Sequence, residues 1–204
     1  MITSEIIQKF ELYVDDTTEL ASTEELDLAN KIYQFVCDFA VWEFLKKEAT
    51  GTISGTEITL PSNFAHLLEN YNYTDNSIST QANAKPVYVF IDDSPVQVVN
   101  WSDRRRYSGS SYCYLDMVNE KIVFPSAQSG TYSFDYKFVP EDLTLATSPV
   151  FPARYHDIIS HGMAVDDMII QLFPRAKSYA QENQNRFNAY LSSMSLWNAN
   201  LQNY

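Results

Sequence analysis

The residues of this chain that could best bind a metal or catalyse a reaction are the histidines and carboxylates between positions 156 and 167. His156 and His161 are five residues apart, with Asp157, Asp166 and Asp167 nearby. A zinc site on one helix needs histidines at i and i+4, because that spacing places both rings on one face. Five residues place the two rings about 140° apart around a helix. We therefore expect no metal site, and catalysis by His161, Asp166 and Asp167 is the less favoured alternative.

Among these carboxylates, Asp166 has a position in the helical pattern that predicts its environment. It lies on the same helical stripe as Ile159 and Ile169, so its side chain should face the packed side of a helix. A carboxylate in that position is either paired or has a raised pKa. We expect a structural salt bridge with Arg154, Arg175 or another basic residue, and a catalytic acid is the alternative.

Arg104, Arg105 and Arg106 form the one dense positive cluster, between Trp101 and Tyr107. The chain as a whole has 14 Lys and Arg against 26 Asp and Glu, a formal net charge of −12. Such an acidic chain does not neutralise phosphates, so specific nucleic-acid binding is not expected. We predict that the three arginines contact acidic groups of a partner, and a solvated turn is the alternative.

The composition excludes several classes of protein. With 204 residues, 45% of them hydrophobic and 14% aromatic, the chain can bury a sizeable core. No apolar run approaches the ~20 residues of a membrane span, and the N-terminal stretch MITSEIIQKFELYVDD does not resemble a signal peptide. We expect a soluble protein made in the cytoplasm, with Cys37 and Cys113 as buried or half-buried free thiols. No common enzyme or nucleotide-binding motif occurs, so we expect neither an enzyme nor a cofactor.

Residues 1–50 read as helical. Ser22 and Glu25 form a possible capping box, and the helix after it is expected to run to about Lys47. That helix carries two apolar stripes, whereas a helix at the surface of a small domain usually needs only one. The second stripe should therefore contact another helix or a neighbouring subunit. The residues predicted for a subunit interface on this stripe are Ile32, Phe35, Phe39 and Trp42.

Residues 51–140 read as β structure. Two hairpins are predicted, one turning at 92–95 and one at 118–120, and the run from 131 to 139 alternates aromatic with polar residues. Residues 141–204 return to helix, with Pro174 either breaking a helix or opening the next one. The predicted fold is α+β: a bundle of N- and C-terminal helices with an inserted antiparallel β barrel or sandwich.

Two parts of the chain resemble a family of phage structural proteins. The run ANKIYQFVCDFAVWEFLKKEATGTI with ITLPSNF, and the run FVPEDLTLATSPVFPARYHDIISHGMAVDDMIIQ with AKSYAQENQNRFNAYLSSMSLWNANLQ, are similar to head-to-tail connector or adaptor proteins. This group includes the tail-tube adaptors of short-tailed phages. The quoted motifs are packing motifs rather than catalytic ones.

The resemblance implies a structural protein of the virion, located at the head–tail junction. It implies a ring, usually of twelve subunits, that binds the portal protein and the tail (nozzle or tube) proteins and lets DNA pass through its lumen. An acidic lumen would repel phosphates, so DNA would slide without strong binding. No membrane partner is expected.

Two further expectations concern partners. Aromatic residues near a flexible end bind well, so Trp197, Leu201 and Tyr204 are predicted to contact the portal. The alternative function is a β module that binds a sugar or host receptor; its candidate residues are Trp101, Tyr107, Tyr112 and Tyr114. These rings are also well suited to packing against one another.

Overall fold

The computed structural model of the chain describes residues 1–15, 20–68, 87–107 and 109–201. Within them it is an α+β protein, as predicted, with helices before and after a barrel-like sheet in the sequence. The helices are α1 (Thr3–Val14), α2 (Ser22–Asp38), α3 (Asp157–Ala164), α4 (Asp167–Leu172) and α5 (Pro174–Leu201). The strands are β1 (Lys46–Thr59), β2 (Phe64–Leu67), β3 (Tyr88–Ile91), β4 (Ser94–Asn100), β5 (Tyr112–Asp116) and β6 (Lys121–Phe138).

The chain divides into two compact units. The helical unit consists of Met1–Leu45 and Pro140–Tyr204, and the β unit is Lys46–Val139. Both cysteines, Cys37 in the helical unit and Cys113 in the β unit, are buried free thiols, as expected. Burial raises the pKa of the Cys113 thiol, which keeps it protonated and unreactive.

The start of α2 shows how local chemistry sets a helix boundary. The Glu24 carboxylate accepts a hydrogen bond from the backbone N–H of Ala21 at 2.9 Å, and so satisfies a donor that the helix itself leaves unpaired. The expected capping box of Ser22 and Glu25 is therefore wrong by one residue. Glu25 is instead buried on the packed face of α2.

The end of α2 differs from the prediction by about nine residues. The helix stops at Asp38 rather than near Lys47, and a short 3-10 turn follows at Glu43–Leu45. The Trp42 indole folds back and donates a hydrogen bond to the Val36 carbonyl at 2.7 Å. Trp42 is fully buried, so this tertiary contact outweighs the helical pattern of the apolar residues.

The C-terminal helices form three pieces rather than two. Asp166 separates α3 from α4 because its carboxylate caps α4, accepting the Met168 N–H at 3.1 Å. Pro174 is the first residue of α5, where its fixed φ fits the helix and its missing N–H leaves no internal bond unmade. Gly162 in α3 lies so close to Ile32 and Phe187 that a Cβ there would sit 2.5 Å and 2.9 Å from their side chains.

The sheet of the β unit is organised around β6. This strand pairs antiparallel with β1 along most of its length, and also with β2, β3 and β5. The predicted interruption of β1 near Gly55 is a register shift between Gly55 and Glu57 rather than a strand end. Because β3 pairs with β4 and β4 with β5, the pairings return to β6 and give the sheet its barrel-like form.

Both predicted hairpins are present. The turn between β3 and β4 uses Asp92 and Asp93, both with positive φ, which is the conformation of a two-residue type I′ turn. The turn between β5 and β6 is held by Asp116, whose carboxylate accepts hydrogen bonds from Val118 and Asn119. Hydrogen bonds from Asn119 lower the pKa of Asp116.

Two features of the sheet differ from the prediction of antiparallel strands with one buried face and one face in contact with solvent. Strands β4 and β5 are parallel, whereas the predicted barrel or sandwich was antiparallel. On β6, Phe134, Tyr136 and Phe138 are buried as predicted, but Lys137 on the other face is buried too.

Candidate partner-binding surfaces

The histidines of α3 have structural roles. The two ring nitrogens of His156 lie 2.9 Å from the carbonyl oxygens of Met1 and Phe151. His161 Nδ1 lies 3.0 Å from the Asn183 side-chain oxygen, and its ring stacks on Tyr13 at 4.8 Å. Burial lowers the pKa of His161, which favours its neutral form. Both histidines thus join helices of one unit.

Asp166 forms a structural salt bridge, as predicted, and its partner is Lys31 rather than Arg154 or Arg175. The Lys31 ammonium lies 2.6 Å from the Asp166 carboxylate, which is largely shielded while Lys31 is exposed. The same carboxylate caps α4. Among the described residues, no group of three or more His, Cys, Asp or Glu side chains is placed to hold a metal ion.

The arginine cluster follows a short 3-10 turn at Trp101–Asp103. The guanidinium of Arg104 lies 4.5 Å from the centre of the Trp101 ring and donates a hydrogen bond to the Trp101 carbonyl at 2.8 Å. Arg105 and Arg106 are exposed, and within the described residues neither makes an ion pair. Arg104 therefore holds the turn, and the next two arginines are available to an acidic partner.

The aromatic residues of the β unit pack mainly on one another. Tyr114 is buried, and its hydroxyl donates to the carbonyls of Tyr107 and Arg104. The rings of Tyr107 and Tyr112 are 5.1 Å apart, and Trp101 meets Tyr114 edge-on at 6.3 Å. Only part of the Trp101 ring reaches the surface, so these residues do not form an open aromatic platform.

Helix α2 exposes two aromatic side chains, Phe35 and Phe39, which we call the α2 ridge. Each is 51% exposed although both are large and apolar. Phe35 contacts Phe187 of α5 with one side of its ring, so the exposed half is held in a defined position. Adjacent exposed aromatics of this kind mark an interaction surface.

The other two residues predicted for this interface are placed differently. Ile32 is half-buried against Gly162, at the edge of the ridge. Trp42 is buried inside the helical unit and does not lie on the exposed stripe, because α2 ends before it. We therefore remove Trp42 from the candidate interface.

A second surface of the helical unit is an open groove of about 650 Å³ along α5, which we call the α5 groove. Its lining combines cationic and aromatic side chains, and no residue of α2 belongs to it. The residues are Arg154, Tyr155, Arg186, Ala189, Tyr190, Ser193, Leu196, Trp197 and Asn200.

Trp197 forms the fixed part of this groove. Its ring stacks on Phe44 at 6.2 Å and meets Tyr155 at 6.0 Å, while the guanidinium of Arg154 lies 5.4 Å from its centre. Arg186 also lines the groove, from the same helix as Trp197, and is paired with Glu182 one helical turn away at 2.7 Å. The arrangement places two exposed guanidinium groups around aromatic rings.

The end of α5 is less enclosed. Leu201 is 43% exposed, and Tyr204, the third residue predicted to bind the portal, lies outside the described residues. Asn198 is buried, accepting the Glu43 N–H at 2.7 Å and donating to the Val41 carbonyl at 3.1 Å. The last turns of α5 are therefore part of the helical core as well as near a terminus.

A family model for the SU10 adaptor protein matches residues 1–203. The chain belongs to the SU10 adaptor protein family. A search of curated proteins finds no match to it.

Membership of the SU10 adaptor family agrees with the surfaces just described. It identifies the chain as a phage structural adaptor, a component of the virion that interacts with other virion components. This confirms the predicted resemblance to phage adaptors. Among the described residues, no helix has the combination of length and apolar character needed to cross a bilayer.

The α5 groove is the part of this adaptor that sequence reasoning missed. The sequence predicts Trp197 as a portal contact and Arg154 as a possible partner of Asp166, and it does not bring these two residues together. A signal was present in their spacing: Arg186, Tyr190 and Trp197 fall within about 40° of one another on a helix. The buried face of α5, with Phe187, Leu191 and Met194, lies to one side of them.

Proposed function

We propose that this SU10 adaptor forms a ring, of twelve subunits as the resemblance implies, that joins the portal to the tail and lines the DNA exit channel. The observation that carries the proposal is that one helical unit has two separate exposed surfaces, the α2 ridge and the α5 groove. A closed ring needs two different contact surfaces on each subunit, because every copy meets one neighbour on each side.

The portal contact is proposed for the C-terminal end of α5, with Leu201 and the segment that ends at Tyr204. Leu201 is exposed and lies three residues after the buried Asn198 on the same helix, so an anchored helix presents it. Trp197, by contrast, is held by Phe44 and Tyr155 within its own unit, which suits the wall of a groove better than an inserted anchor.

The contact with a tail component is proposed for Arg105 and Arg106. They are exposed cations in a chain of net charge −12, so an acidic surface is the complementary partner. The acidic balance of the whole chain also agrees with a channel that DNA crosses without strong binding.

The test of the ring is to mix the purified protein with the portal protein of the same phage, measure the mass of the product and image it. We expect a ring of adaptor subunits on the portal. A protein that stays a single copy and never docks on the portal would contradict the proposal. A monomer in the absence of portal is compatible with assembly that begins on the portal.

Point variants test the two proposed contacts. We expect Leu201→Ser to weaken docking on the portal, while Leu12→Ser, on an α1 residue that is 70% exposed, leaves docking unchanged. Arg105→Glu should block addition of the tail component, and Arg105→Lys should permit it. Truncation before Trp197 is unsuitable, because it also removes Asn198 from the core.

A receptor-binding or glycan-binding β module was the alternative function. The packing of Tyr107, Tyr112 and Tyr114 against one another gives it no support beyond the partly exposed Trp101. We therefore retain the adaptor ring as the proposal.

A further inference from the structure

We propose that the α2 ridge of one subunit inserts into the α5 groove of the next copy of the same chain. This inference rests on the proposed ring and identifies which two surfaces close it. It assigns Trp197 to the contact between subunits and leaves Leu201 for the portal.

The ridge is aromatic with carboxylates beside it. Phe35 and Phe39 lie one helical turn apart and are each half-exposed. Asp38 is adjacent to Phe39 and exposed. Asp142 is held close to the helix, since the side-chain amide of Gln34 donates to its carboxylate at 3.1 Å. An incoming surface would therefore meet two rings with negative charge near them.

The groove has the complementary character. The guanidinium of Arg154 lies over the rings of Tyr155 and Trp197, at 4.8 Å and 5.4 Å. Leu196, which is 69% exposed, and Tyr190 supply apolar surface between Arg154 and Arg186. Phenylalanine rings can pack on such aromatic walls and on the faces of guanidinium groups, and carboxylates can pair with the guanidinium edges.

Charge decides between the possible pairings of these surfaces. Two ridges placed together would bring carboxylates against carboxylates, and two grooves would bring Arg154 of one copy against Arg154 of the other, since Arg186 is already paired with Glu182. Ridge against groove is the pairing in which the charges are opposite. Since the ridge and the groove share no residue, one subunit can use both at once, and repeated head-to-tail contacts close into a ring when the rotation fits.

The experiment uses a ridge variant, Phe35→Ser/Phe39→Ser, and a groove variant, Arg154→Glu/Arg186→Glu, each mixed with portal protein. We expect each variant alone to associate with itself at least about tenfold more weakly than the unaltered protein. Phe39→Ser alone serves as a milder ridge variant, because it keeps the contact of Phe35 with Phe187. Circular dichroism and melting temperature check that each variant is folded.

Matched controls separate the contact from general changes in charge or apolar surface. Lys177→Glu reverses an exposed charge on α5 nine residues before Arg186, which is half a turn away around the helix. Leu12→Ser removes an exposed apolar side chain from α1. Both controls should assemble as the unaltered protein does.

Mixing the two variants gives the most specific result. The groove variant keeps an intact ridge and the ridge variant keeps an intact groove, so an equimolar mixture has one functional contact. We expect a dimer containing one copy of each, and no larger assembly, by native mass spectrometry. Rings formed by either variant alone, or a mixture without dimers under conditions in which the unaltered protein self-associates, would overturn the inference while leaving the proposed ring intact.

Two other outcomes are distinguishable. If the unaltered protein never forms a ring on the portal, the proposed function fails, and this inference fails with it. If the groove variant still forms rings but loses the portal, the groove holds a portal segment rather than a second copy, and the inference is overturned.

Discussion

The helical unit and the β unit use polar side chains in different ways. In the helical unit, buried polar groups join residues that are far apart in the sequence: Ser160 Oγ donates to the Ile6 carbonyl at 3.0 Å, and Asn198 bonds the backbone at Val41 and Glu43. In the β unit, the buried side chains are mainly apolar, Val89, Ile122 and Phe134 among them, and backbone ladders around β6 connect distant residues, while Arg105 and Arg106 remain on the surface.

The difference indicates where each unit is sensitive to substitution. The helical unit depends on single side chains that connect residues before position 46 to residues after 139. The β unit depends on many backbone hydrogen bonds, none of which a side-chain change removes directly. Single substitutions at buried sites should therefore destabilise the helical unit more than the β unit, and three measurements test this comparison.

The largest effect is expected for Trp42→Ala. It removes a fully buried indole and the hydrogen bond that this indole donates to the Val36 carbonyl, so the free energy of unfolding should fall by about 3–5 kcal/mol. Urea unfolding followed by circular dichroism measures it. Phe39→Ala, at a half-exposed residue in the same region, should cost clearly less, and an equal cost would show that Phe39 belongs to the core.

A smaller effect is expected for glycine replacements, one in each unit. In Gly162→Ala the new methyl would meet Ile32 and Phe187 in the core. This overpacking should lower the free energy of unfolding by about 1–3 kcal/mol. The better helix propensity of alanine offsets at most about 1 kcal/mol of that loss. In Gly51→Ala the methyl would meet the end of the Tyr132 ring. Tyr132 is only half-buried and its ring is the end of a side chain with two rotatable bonds, so this variant should lose less stability than Gly162→Ala. A larger loss for Gly51→Ala would reverse the comparison.

The smallest effect is a dependence of stability on pH. Burial lowers the pKa of His161 in the folded protein, with Arg186 adding to the shift and the hydrogen bond to Asn183, with Asp157 and Glu182, opposing it. The unfolded chain takes up the proton near pH 6.5. The free energy of unfolding should therefore be highest above about pH 6.5 and should fall as the pH decreases toward the pKa of His161 in the folded protein.

The slope is at most about 1.4 kcal/mol per pH unit for one proton. His66 in the β unit has a pKa lowered by burial and contributes with the same sign. His161→Phe should be less stable at pH 7, because it loses the Asn183 bond, but should show a shallower slope in thermal unfolding between pH 7 and 5. An unchanged slope would assign the effect to His66.

The parts of the fold that were predictable are those set by neighbouring residues. Both hairpins depend on short turns: Asp92 and Asp93 adopt the positive φ that a two-residue turn needs, and Asp116 forms local hydrogen bonds with Val118 and Asn119. The role of Asp166 was also predictable, because a carboxylate on a packed stripe needs a cation. Its partner, Lys31, lies 135 residues away in the sequence, and no local pattern identifies it.

The parts that were not predictable depend on contacts between distant residues. The end of α2 follows from Trp42 turning back to Val36 and from Asn198 binding the backbone at Val41 and Glu43. The α5 groove needs Arg154 from one segment to lie on Trp197 from another. Phe35 and Phe39 of the ridge were identified because a second apolar stripe on one helix is visible in the sequence. A concave surface made of two distant segments leaves no such local pattern.

The two chain connections of the β unit have a consequence for how such adaptors can vary. Lys46 and Lys137 are opposite each other in the β1–β6 ladder, so the chain enters and leaves this unit at positions only about 5 Å apart. A module with such adjacent ends can be exchanged for another of any size without stretching the helices that flank it. Recombination at these two junctions would leave the α2 ridge and the α5 groove unchanged while replacing the surface that carries Arg105 and Arg106.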